Sequence, residues 1–137
     1  MAALRFQPNP LILSIHNLII QMNMMLKIWM AGSLTGSLTA ISFILAEKAL
    51  THDQIFALWE LGIAAATPAL AMLLVAWATK VKVATLLPIA YLTLLLPVLG
   101  AAFGASGAEP LWQYGLLGLA GGLFWSTPFA LWQLRQK

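Results

Sequence analysis

The sequence predicts an all-α, polytopic membrane protein, with four transmembrane helices preceded by an N-terminal amphipathic helix. Three observations carry this fold class. Of 137 residues, 61% are apolar and 8% charged, and the mean hydropathy is +0.89, a balance that water-soluble domains do not have. The charged residues divide the chain into apolar stretches long enough to cross a hydrocarbon core of about 30 Å, which takes roughly 20 helical residues. The basic residues also gather on one side of those stretches, the signature of membrane orientation.

Residues 1–27 form the first unit. Arg5 followed by an apolar run raises the question of a secretory signal. His16, Asn17, Gln21 and Asn23 interrupt that run and no small-x-small site follows closely, so the segment is expected to be retained. On a helical wheel Leu11, Ile15, Leu18, Ile19, Met22, Leu26 and Trp29 share one arc, with His16, Asn23 and Lys27 opposite. The expectation is an amphipathic helix, starting after Pro8 and Pro10, that lies in the cytoplasmic interface or against the bundle. The clustered Met22, Met24, Met25 and Met30 are read as gap-filling side chains. A soft-metal site would have only His16 to assist, because the chain has no cysteine.

Residues 28–137 form the transmembrane unit, with spans at about 28–46, 55–79, 83–106 and 111–134. On this map Arg5, Lys27, Lys80, Lys82, Arg135 and Lys137 lie on one side and only Lys48 on the other. Both termini and the "TKVKV" link are therefore expected in the cytoplasm, in a multi-pass protein of a bacterial inner membrane or an equivalent energy-transducing membrane. Glu47, Asp53 and Glu109 fall in the outer loops.

Residues 58–74 laid on 118–134 pair Gly62 with Gly122, Thr67 with Thr127, Pro68 with Pro128 and Leu74 with Leu134. Chance supplies roughly two such matches in so restricted an alphabet, so the identities leave a duplicated helical hairpin and coincidence both open. Each half is an outward helix, an acidic loop and a returning helix, so a duplication makes two parallel repeats about an axis along the membrane normal. Proline inside a span removes a donor and frees carbonyls that lipid cannot satisfy. Thr67 and Thr127 are expected to bond back to the preceding turn as their helices bend at Pro68 and Pro128. Pro88 and Pro97 make the third span the least regular. Gly32, Gly36 and Ala40 recur at four-residue spacing in "AGSLTGSLTA", as do Gly100, Gly104 and Ala108, and Gly118 and Gly122. Such ridges bring backbones together, within one chain or between chains.

Chemistry has few residues to work with. There is no thiol, and His16 and His52 fall on opposite sides of the membrane, about 30 Å apart. Glu47, His52 and Asp53 are near one another in "EKALTHDQ" but follow no ligand spacing. No catalytic set, metal site or cofactor is expected, and the seven scattered basic residues form no nucleic-acid patch. Glu60 is the one carboxylate inside a span. Either it reaches the outer interface with Trp59 as belt, or it exchanges a proton or binds a cation in a cavity where Tyr91 offers a hydroxyl.

The stretch from Tyr91 to Gly122 resembles the last hairpin of drug/metabolite-superfamily transporters, with Pro97 and Glu109-Pro110-Leu111 at corresponding places. The first half does not share the likeness. In size and span number the chain also resembles small multidrug-resistance transporters, whose membrane carboxylate lies in the first span, where this chain has it in the second. The function expected from the residues is non-enzymatic: an accessory or scaffold subunit bound to another membrane protein. The alternative is a homo-oligomeric transporter or channel with Glu60 in its pathway.

Overall fold

The structure, a computed structural model, describes residues 10–50, 58–95 and 109–135. Over these residues it is all-helical: α1 (Pro10–Leu50), α2 (Leu58–Thr79), α3 (Val83–Thr93) and α4 (Leu111–Arg135). α1, α2 and α4 are each long and apolar enough to cross a membrane, and α3 is a shorter apolar helix. The third predicted span, 83–106, is described only as far as Leu95, so Pro97, Gly100 and Gly104 lie outside the described residues, as do His52 and Asp53.

α1 runs for 41 residues without interruption, roughly 60 Å at the rise of an α-helix and about twice a hydrocarbon core. The division placed at residue 27 falls inside this one continuous helix. No glycine or proline stands between Leu11 and Ala31, so nothing stops the backbone ladder there. Lys27 marks a change of surroundings rather than of conformation. Every residue from 11 to 20 is exposed, and burial begins in earnest at Ile28.

From that point α1 is the centre of the bundle, touching α2, α3 and α4, while α3 also touches α2 and α4. The closest packing is between α1 and α4. Gly32 lies against Ser126 and Gly122, Gly36 against Gly122 and Gly118, and Ala40 against Gly118. Advancing four residues on α1 moves four residues back on α4, so the two helices are antiparallel with their small residues in register. One compact apolar cluster joins all four helices: Ala31 from α1, Met72, Val75 and Ala76 from α2, Leu86, Ile89 and Ala90 from α3, with Trp125 and Phe129 of α4 packed on it.

Four exposed tryptophans stand at the ends of two helices: Trp59 and Trp77 on α2, Trp112 and Trp132 on α4. The pairs are separated by roughly 27 Å and 30 Å along their helices, which matches the spacing of the two interfaces of a bilayer where indole rings collect.

Candidate functional site

The residues that could line a pathway do not form a single group. Glu60 is in the first turn of α2 and half-buried. The Tyr91 hydroxyl donates to the Ala65 carbonyl at 3.1 Å, a hydrogen bond that ties α3 to α2 more than one turn from Glu60. Pro88 is half-buried inside α3. Among the described residues no three His, Asp or Glu side chains converge.

The two Thr-Pro pairs differ in their surroundings. Thr67 Oγ1 donates to the Ala64 carbonyl at 2.8 Å, the acceptor that Pro68, four residues on, leaves without its amide. Thr127 Oγ1 donates to the Leu123 carbonyl at 3.0 Å, which is not the carbonyl freed by Pro128. Pro68 is buried and Pro128 exposed. Gly122 sits in the seam with α1, whereas a side chain on its counterpart Gly62 would meet nothing within 4 Å. The two hairpins thus put matching residues to different uses.

In the seam, a Cβ on Gly36 would come within 2.8 Å of the Gly122 Cα and collide with the Gly118 carbonyl, and one on Gly118 would lie 2.7 Å from the Ala40 Cβ. Only glycine permits this approach, because the obstructing atoms are largely backbone and cannot rotate away. Next to the seam, Thr35 and Thr39 are fully buried and their hydroxyls have no hydrogen-bond partner; the indole N–H groups of Trp29 and Trp125 are likewise unpartnered. Unpaired buried hydroxyls are costly, about 1–3 kcal/mol each. The threonines have a sequence signal, the tandem "SLTGSLTA", which sets two hydroxyls one turn apart.

No family model, curated protein or solved structure matches this chain.

Among the described residues, a cleft with polar lining lies at the end of the bundle near Lys27, with a volume of about 280 Å³. Lys27, Lys80 and Lys82 line it together with Thr85, Gln133 and the apolar Met24, Ile28 and Val81. The α2–α3 link builds it. Thr79 Oγ1 donates to the Val75 carbonyl at 2.7 Å and accepts the Val81 N–H at 3.4 Å, while the Lys80 N–H donates to the Ala76 carbonyl at 2.9 Å. Lys80 has φ of 57°, a left-handed conformation that ends a helix abruptly and is costly for a residue with a side chain. Val81 packs on the apolar cluster, which anchors the link and leaves the lysines on either side of it at the cleft. The Lys80 ammonium lies 5.7 Å from the Trp77 ring centroid, within range of a cation–π attraction. All three lysines were expected on one side of the membrane; that they share one cleft follows from the fold.

Proposed function

We propose that the chain is a non-enzymatic accessory or scaffold subunit of a membrane complex, with four spans and both termini on the cytoplasmic side. The observation that carries this is the exposed first half of α1. The pairing of Gly32 with Ser126 and of Ala40 with Gly118 puts Trp132 level with the α1 turn around Leu26 and Trp112 level with that around Ala46. If the tryptophans mark the two interfaces, the membrane part of α1 ends near Leu26. The preceding 16 residues then continue for roughly 24 Å beyond it.

That extension carries exposed apolar side chains among its polar ones. Leu11, Ile12, Leu13, Ile15, Leu18 and Ile19 are all exposed, Leu11 at 69%. Each such side chain is worth about 1.5–3 kcal/mol when covered, and a helix collinear with a span cannot also lie flat in the interface. A partner's apolar surface accounts for both facts. The closed glycine seam supports the same role, because it makes the bundle a rigid mount for the extension.

The test is purification of the full chain from its membrane in a mild detergent. The expected result is recovery with a stoichiometric membrane protein of different sequence, lost when Ile12, Ile15 and Ile19 are all changed to Ser while the bundle keeps its thermal transition. Recovery as a homodimer or ring, free of other chains, overturns this function in favour of a transporter or channel with Glu60 in its pathway.

A further inference from the structure

We propose that the three-lysine cleft binds a phosphate-bearing anion. Its position at the cytoplasmic interface rests on the membrane orientation above; its chemistry rests on the cleft itself. Lys27 comes from α1, Lys80 and Lys82 from the α2–α3 link, Thr85 from α3 and Gln133 from the last turns of α4, so four separate parts of the chain supply the polar groups. Among the described residues the lining contains three lysines and no side-chain carboxylate. All three lysines are exposed at the cleft, where an anion between them would be attracted by each. Ammonium groups are compact point charges that suit phosphate oxygens, and the Thr85 hydroxyl and Gln133 amide add neutral donors to the same rim.

The volume, about 280 Å³, equals that of roughly nine water molecules, enough for a phosphate ester with part of its glycerol. Met24, Ile28 and Val81 add apolar lining, and Lys80 lies beside Trp77, one of the tryptophans at the level where headgroups reside. Basic pockets between helices on the cytoplasmic side are where anionic headgroups bind. A lipid headgroup and free phosphate share this chemistry, and the experiment separates them.

Full-length protein in a neutral detergent is titrated with phosphatidylglycerol, with phosphatidylcholine of the same acyl chains, and with inorganic phosphate, and binding is read by native mass spectrometry and calorimetry. Phosphatidylglycerol is expected to bind about tenfold or more tighter than phosphatidylcholine. Binding of inorganic phosphate instead assigns the free anion as ligand. Each single change, Lys27→Gln, Lys80→Gln or Lys82→Gln, is expected to weaken binding about fivefold, and the three together about a hundredfold. The same three positions changed to Arg are expected to retain it. Arg135→Gln, in a different cleft with Pro128 and Trp132, is expected to leave binding within about twofold.

The site is overturned if neither phosphatidylglycerol nor phosphate binds more tightly than phosphatidylcholine, if the single Gln variants bind as the parent does, or if Arg135→Gln costs as much as they do. Resistance of the same protein to carbonate extraction tests its membrane residence separately. A chain that stays in the membrane but binds neither anion removes the cleft proposal alone.

Discussion

At the scale of single residues, the environment of a glycine decides what it contributes. Gly36→Ala puts a methyl group against the backbone of α4 at Gly118 and Gly122, where no side chain can move aside. Overpacking of this kind costs about 1–3 kcal/mol, and the thermal transition in detergent is expected to fall by roughly 5 °C or more. Gly62→Ala is expected to leave it unchanged or raise it, because the added methyl meets open space and alanine gives up less chain entropy in a helix. Equal losses from both substitutions would remove the seam from the account. The threonines make a second contrast. Thr67→Val abandons the Ala64 carbonyl, which Pro68 has already deprived of its amide, and is expected to destabilise by about 1–2 kcal/mol. Thr127→Val is expected to cost less, since the Leu123 carbonyl also accepts from Ser126 Oγ at 2.9 Å. Denaturant titration of the two variants checks the order. Sequence alone shows Thr67-Pro68 and Thr127-Pro128 as equivalents; it does not reveal that one proline is buried and the other exposed. Glu60 belongs at this scale too. In the first turn of α2, one residue from the exposed Trp59, it lies at a helix end rather than amid the seam. Glu60→Gln is expected to leave recovery of a partner unchanged; loss of that partner would give the carboxylate a part in assembly.

At the scale of elements, α2 and α4 were legible as apolar segments bounded by charge, and both are helices long and apolar enough to cross a membrane. α1 was legible in content but not in extent. The wheel placed Leu11, Ile15, Leu18 and Ile19 on one face, yet polarity at Asn17, Gln21 and Lys27 says where water begins, not where a helix stops. A glycine or a proline would have interrupted it, and neither occurs between Leu11 and Ala31. The continuity has a mechanical consequence: force or a partner on residues 11–20 is transmitted directly to the seam with α4. Two glycines inserted after Leu26 are therefore expected to uncouple the extension. Protease sensitivity should rise at that point and the partner's hold on the bundle should weaken, while the thermal transition of the remaining helices stays put. Undiminished partner recovery with the insertion would show that rigidity is not needed.

At the scale of the whole molecule, the decisive quantity is sidedness. The chain has no cysteine, so Lys80→Cys and Glu109→Cys each provide a single thiol for an impermeant maleimide. Lys80 follows the end of α2, and Glu109 stands just before α4, with Tyr114 donating to its carboxylate at 2.9 Å. The two are expected to label from opposite faces of the membrane, Lys80 from the cytoplasm. Labelling from the same face would undo the topology and the placement of the cleft with it. By itself the sequence determined that this chain is helical and suited to lipid, because apolar length and scarcity of charge are properties of the residues, whatever their arrangement. It also determined which residues are small enough for close contact. Which of these touch, that the Lys27, Lys80 and Lys82 side chains share a cleft, and that the two Thr-Pro turns lead different lives were decided only in three dimensions. Those outcomes depend on the register of α1 against α4 and on the left-handed turn at Lys80, and register is set by the mutual fit of two surfaces, which neither helix carries alone.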